Sequence, residues 1–424
     1  MIELPIIKTL NNRLRIIYTP FPGVDSVSLK LIGRVGGIWE KPDELGAAHY
    51  VEHLVFDGTK KYESTQELNS LIEDAGGNFN GGTDFYEVNY IVKLLKEDVE
   101  KGFDFLSQLV CHPLFKKSDV DKERGIIIQE YTNSLDEPVS NFMMNSQKYV
   151  FPQGHRLSEP LIGNISTLSK ISRQQLVDYH QNNYTTDNFV LSVCGDDVKE
   201  SVFQLAEQYF GGMKTGQMNN YLGYEETGSL VNYVENNENI QQATISIGFP
   251  ADVKYGRNFF ITKYIQQIFG GSFTSRLFDE IRQKRGLAYY ASSVYQAYPA
   301  YGMFENLAQV EPKNVTEVIK LISTEVKKMC QKGVTEREYN RTKKMIQSYF
   351  VFSNEEPEAR ADLNGLLILE GHEKENIHTI KEKYLAVTIN EINEVARELF
   401  EQNPKICVLS NHLTRSEVEN AWQS

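Results

Sequence analysis

His49, Glu52 and His53 stand three and four residues apart. On a helix, positions i, i+3 and i+4 share one face, so the three side chains point the same way. Around them Ala47, Ala48, Val51, Leu54, Val55 and Phe56 are apolar, which predicts a buried helix carrying a polar triplet. A buried carboxylate beside two imidazoles is costly unless something pairs with it, and a divalent metal ion would serve. Two imidazoles four residues apart can bind one tetrahedral zinc ion and leave positions for a further ligand and a water. Glu52, next to His53 in the chain, would sit beside that metal and could take a proton from the water. The spacing arises by chance in roughly one chain in a hundred of this histidine content, so a second set of residues is needed to carry the reading.

The elements that must position these residues can be read from their neighbours. Pro42, Asp43 and Glu44 in front and Gly58 behind predict a short helix with carboxylates in its first turn. A later helix, from Ser118 to about Tyr131, places Glu123 and Glu130 two turns apart on the face that holds Ile126 and Ile127. Those two carboxylates either meet a cation or are solvated, with the isoleucines facing the other way. Between the two helices, the run Asn78–Val92 alternates in strand fashion and holds Gly81 and Gly82 near its start. Glycine inside a strand pattern marks either an edge that accepts another backbone or a bulge.

Whole-chain properties bound the function. A length of 424 residues suits two domains of about 200 residues. The formal charge of -13 argues against a nucleic-acid or anionic-membrane partner. No run of 18 uncharged apolar residues is present, so no membrane span is expected. The N-terminal residues lack the apolar core and cleavage site of a secretory signal. Cys111, Cys194, Cys330 and Cys407 are far apart and read as reduced thiols, which suits a cytoplasmic protein. The other six histidines, His112, His155, His180, His372, His378 and His412, lack partner spacing and read as surface or packing residues.

Along the chain, residues 13 to 36 read as a pair of strands on either side of Pro20, Pro22 and Gly23. Helices are predicted from Ser64 to Ala75, Lys96 to Val110 and Ser172 to Gln181, and a strand at Phe189–Gly195. The proline-bearing segment Glu137–Leu161 reads as irregular. Polar, glycine-rich residues 213–230 read as a linker between halves 1–212 and 231–424. After it the pattern repeats with an offset near 215 residues: Ile406–Asn411 echoes Phe189–Cys194, Thr335–Met345 falls opposite the Glu123 helix, and Thr262–Phe269 falls opposite the His49 helix. The second copy has glutamines in place of histidines, so only the first half is expected to hold metal. The predicted fold is α+β, with two homologous halves, each of antiparallel sheets packed against helices.

Five stretches are similar to one known family, the M16 peptidases, which include pitrilysin, insulin-degrading enzyme, the mitochondrial processing peptidase and half-length bacterial relatives. They are Gly46–Thr59, with the inverted zincin pattern H-x-x-E-H, then Gly76–Thr83, Glu123–Glu130, Asn183–Asn188 and Ser275–Tyr289. The resemblance implies His49, His53 and Glu130 as ligands of one zinc ion per chain and Glu52 as general base. It also implies Glu123 as a carboxylate steadying the ligands. Asn80 and the backbone about Gly81 match the edge strand on which the family lays its substrate, although Gly81 and Gly82 replace an alanine and a bulky residue. In the second half Arg282 and Tyr289 match an arginine and a tyrosine that bind the substrate backbone and the developing oxyanion.

The resemblance therefore implies a zinc-dependent endopeptidase that hydrolyses short or unfolded peptides inside a chamber closed by dimerisation. Because one chain carries both the metal motif and the Arg–Tyr pair, a homodimer is expected. The competing expectation is a non-catalytic scaffold subunit of the same fold.

Overall fold

The computed structural model describes residues 4–223 and 233–424. Its described residues fall into two compact units, 4–133 with 159–220 and 350–380, and 134–158 with 221–223, 233–349 and 381–424. The first unit is built on a six-stranded sheet in the order β1-β2-β6-β3-β5-β4. Its strands are β1 (Ile6–Thr9), β2 (Arg15–Pro20), β3 (Ser26–Gly33), β4 (Asn78–Thr83), β5 (Val88–Leu95) and β6 (Phe189–Gly195). The second unit holds a five-stranded sheet in the order β7-β11-β8-β10-β9, made of β7 (Tyr233–Asn236), β8 (Ala243–Pro250), β9 (Ala288–Tyr298), β10 (Tyr301–Val310) and β11 (Lys405–Ser410).

These sheets share one order over five strands, β2-β6-β3-β5-β4 and β7-β11-β8-β10-β9, with β1 added at one edge of the first. β2 pairs parallel with β6, as β7 does with β11, and every other pairing in both sheets is antiparallel. The fold is thus α+β with two homologous halves, and each mostly antiparallel sheet carries one parallel pairing. That pairing corrects the expectation for residues 13 to 36. β2 and β3 follow each other in sequence, yet β6 lies between them. All seven residues of β6 are buried, and a continuous apolar run of this kind belongs in the sheet centre, where both faces are covered.

Both faces of the first sheet are covered. Ile16, Tyr18, Leu29, Leu31, Leu191 and Val193 enter the larger core. Ile17, Ile32 and Val190 on the other face meet Ile368 and Leu369, which belong to the helix Pro357–Leu369. Each such buried aliphatic side chain stabilises by about 1.5–3 kcal/mol. Inside this contact Asn364 donates to Thr19 Oγ1 at 2.8 Å. The second sheet has its own version: Cys407 and Leu409 of β11 pack with Phe142, from the helix Pro138–Val150.

That second helix lies where irregular chain was expected. Pro138 occupies its first turn, a position where proline costs nothing because the first N–H groups have no helical acceptor. The two covering helices also separate compactness from repetition. Residues of the first sequence half sit in the second unit and residues of the second half sit in the first, so the compact units do not follow the order of the sequence. The expected linker 213–230 lies partly outside the described residues. Among the described residues no helix is long and apolar enough to cross a membrane.

Candidate metal centre

The helix Ala47–Leu54 buries Ala47, Ala48, Tyr50, Val51 and Leu54, leaving His49, Glu52 and His53 on its remaining face. Its start is fixed by a residue the sequence did not reveal. No carboxylate lies in its first turn; Asp43 and Glu44 fall in the preceding turn, and Glu40 reaches back to accept from the N–H groups of Gly46 at 2.9 Å and Ala48 at 2.8 Å. These donors would otherwise be unsatisfied at a buried helix end. Gly46 has φ 93°, and a side chain there would meet the Ile162 carbonyl at 2.4 Å. From below, the Tyr50 hydroxyl donates to the Val120 carbonyl, tying this helix to the helix Lys117–Asp136.

That second helix delivers both predicted carboxylates. His49 Nε2 is 3.9 Å and His53 Nε2 is 4.0 Å from the same Glu130 oxygen. His53 Nδ1 lies 3.0 Å from Glu123 Oε2. Glu123 and Ile127 are buried, whereas Ile126 is 47% exposed, so the buried stripe runs through Val120, Glu123 and Ile127, and Glu130 lies half-exposed beyond it. The ligand atoms of His49, Glu52 and His53 lie within 4.8 Å of one another. Imidazole nitrogens and carboxylate oxygens are ordinary zinc ligands, and spans of 3.9 and 4.0 Å exceed a hydrogen bond and leave space between the groups for one cation. The donor set therefore fits a divalent cation.

Burial tunes these groups. Desolvation, with His53 adding to it, brings the His49 pKa down to about 4, which keeps the ring neutral and its lone pair available. His53 is shifted up, chiefly by its hydrogen bond to Glu123. Desolvation raises Glu52, and the nearby Glu130 acts in the same direction. Such a carboxylate holds a proton more readily than one in water, which suits a group that must both accept and return one.

Beside the helix runs β4, an edge strand of the sheet. Its register with β5 is unbroken from Asn78↔Lys93 to Thr83↔Val88, so the paired glycines mark an edge and not a bulge. A Cβ on Gly81 would lie 2.6 Å from Glu52 Oε1 and 2.8 Å from the Phe56 ring. The missing side chain is what lets the Glu52 carboxylate rest against the strand. Asn80 Oδ1 accepts from the Gly81 N–H at 3.0 Å.

Comparison with known proteins identifies the family. Residues 15–164 match the family described as Insulinase (Peptidase family M16), and residues 170–346 match Peptidase M16 inactive domain. The chain belongs to the M16 peptidase family. An uncharacterized zinc protease of Rickettsia felis is 29% identical over 352 residues, covering 82% of this chain and 84% of the relative. In structure, a protease from Helicobacter pylori superposes with a TM-score of 0.90 at 19% identity, covering 96% of this chain and all of that one. The periplasmic protease PqqL of Escherichia coli gives 0.80 at 18% identity, with 99% of this chain spanning 50% of PqqL.

In this M16 chain the remaining predicted residues belong to the second unit. The Arg282 guanidinium lies between the Phe278 ring, 5.0 Å away, and the Tyr289 ring, 4.8 Å away, and donates to the Tyr289 carbonyl at 2.9 Å. Tyr289 is 78% exposed. Both line a surface cavity of about 520 Å³ with Phe273, Phe278 and Tyr290. Sequence reasoning missed Glu40, and it missed Lys122, which touches Glu123, and Asp57, which touches Lys122. Lys122 adjoins Glu123 and Asp57 closes the metal motif, so adjacency was the signal that could have found them.

Proposed function

We propose that this chain is a zinc-dependent endopeptidase, in which His49, His53 and Glu130 hold one zinc ion and Glu52 is the general base. The observation that carries the reading is the single Glu130 oxygen standing 3.9 and 4.0 Å from the two Nε2 atoms, brought there by a different helix. Glu52 is the nearer carboxylate in sequence, but it is turned against Gly81 and Phe56, beside the place where a peptide on β4 would lie. Bound zinc supplies Lewis-acid polarisation of a carbonyl and a water of pKa about 7. Glu52 would be the side chain that accepts a proton from the attacking water and returns it to the leaving amine. The edge of β4 at Asn80 and Gly81 orients an extended peptide by backbone pairing.

In the same proposal Arg282 and Tyr289 bind the substrate backbone and the oxyanion, and two copies of the chain close a chamber that admits short or unfolded peptides. The name zinc protease carried by relatives supports zinc. The span of half of PqqL supports assembly from two copies. Glu52→Gln should retain zinc and lose peptide cleavage by a thousandfold or more, on the order of the several kcal/mol that such catalysis supplies. Peptide cleavage surviving in Glu52→Gln, or in Glu130→Ala with zinc still bound, would overturn the assignment.

A further inference from the structure

The Glu123 carboxylate does not stand alone behind His53. Its Oε2 meets His53 Nδ1 at 3.0 Å, and its Oε1 meets Lys122 Nζ at 3.1 Å. Lys122 Nζ in turn lies 2.5 Å from Asp57 Oδ1, and Thr65 Oγ1 donates to that same Asp57 oxygen at 3.1 Å. The result is a ladder, His53–Glu123–Lys122–Asp57–Thr65, that links three elements of the first unit. These are the exit of the metal helix, the helix Lys117–Asp136 and the start of the helix Thr65–Glu73.

The side chains of Glu123 and Asp57 are each only 8% exposed, and Asp57 Oδ2 is buried with no hydrogen-bond partner. Two buried carboxylates this close repel each other unless a cation lies between them. Lys122 is the cation that bridges both.

We propose that Lys122 and Asp57 are positioning residues for the metal site, clamping Glu123 so that His53 and, two turns along the same helix, Glu130 keep their mutual distance. This rests on the zinc reading above. With one partner on each oxygen the Glu123 carboxylate plane is fixed, and with it the orientation of the His53 ring. Lys122 alone is a flexible chain, and Asp57, itself held by Thr65, is what stops it from swinging into solvent. The clamp also sets the rotation of the helix Lys117–Asp136 against the metal helix, and that rotation decides where Glu130 falls.

The test compares wild type, Lys122→Met, Lys122→Arg and Asp57→Asn in the full chain. Zinc affinity is read by chelator competition, ligand geometry by the visible spectrum of the cobalt-substituted protein, and folding by circular dichroism. Loss of the clamp should weaken zinc binding about 10–100-fold, as expected for residues that orient metal ligands. The cobalt bands should shift in Lys122→Met and Asp57→Asn, and Lys122→Arg should restore both readings. Wild-type zinc affinity and cobalt spectrum in either folded, clamp-breaking variant overturn the proposal, and so does Lys122→Arg behaving like Lys122→Met. Should Lys122→Met not fold, Asp57→Asn decides, because it keeps the shape of the side chain. A wild-type protein that binds neither zinc nor cobalt defeats the peptidase reading itself, which no result on the Lys122 and Asp57 variants can do.

Discussion

Five strands of the first sheet repeat in the second in the same order, yet the helix beside β4 and the helix beside β9 spend their polar side chains differently. In the first unit His49 and His53 converge on Glu130, with Glu52 beside them. In the second unit Lys263, Gln266 and Gln267 have the same spacing on the helix Phe259–Phe269, and every one of them is used internally. Lys263 Nζ donates to the Tyr295 carbonyl at 3.2 Å, Gln266 to that of Ser293 at 2.8 Å and Gln267 to that of Gly271 at 3.1 Å. No comparable group of metal-binding side chains is found among the described residues of that unit.

The edge strands differ in the same way. β4 is bare at Gly81 where Glu52 leans on it, whereas β9 carries the exposed rings of Tyr289 and Tyr290. One helix–strand pair thus serves as an open donor set in one copy and as a closed structural joint in the other. Spacing on a helix is therefore permissive, and the chemistry is decided by whether the neighbouring backbone consumes the side chains.

The comparison can be broken most severely by making the first unit resemble the second. His53→Gln should abolish zinc binding and lower peptide turnover on the order of a thousandfold or more, with the fold retained by circular dichroism. Retained zinc, measured by metal analysis, would show that the two helices differ less than the structure indicates.

A smaller effect separates the units by pH. His180 in the first unit is buried, lies 3.1 Å from the Val110 carbonyl, and is brought down to about 4 chiefly by desolvation. Its unfolded value is about 6.5. Between those values the unfolded chain binds the extra proton, so stability is complete above pH 6.5 and is lost as pH falls toward 4. The loss from this residue is on the order of 3 kcal/mol. Hydrogen exchange should show the first sheet opening before the second on acidification, and His180→Gln should flatten that dependence. A second sheet that opens first would contradict the assignment.

The smallest effect tests the structural joint. Gln266→Leu removes the donor to the Ser293 carbonyl and should cost about 1–2 kcal/mol of stability. A thermal melt would show it, while zinc content should stay unchanged.

What the sequence by itself determined is local. Helical periodicity puts His49, Glu52 and His53 on one face whatever surrounds them. The capping box of Ser64 with Glu67 and the caps at Ser172 and Thr388 begin helices from residues three apart. The offset near 215 residues was likewise visible as pattern, and the matching strand orders bear it out.

Only the tertiary structure decided the rest. β6 separates β2 from β3 because burial on both faces, not adjacency in the chain, assigns a strand its place. Pro138 begins a helix rather than ending one, since a proline is harmless in the turn whose N–H groups have no acceptor. The meeting of Glu130 with His49 and His53, and the ladder through Lys122 and Asp57, join residues that no period relates. Their distances follow from how one packed helix is rotated against another, a quantity set by the core they share.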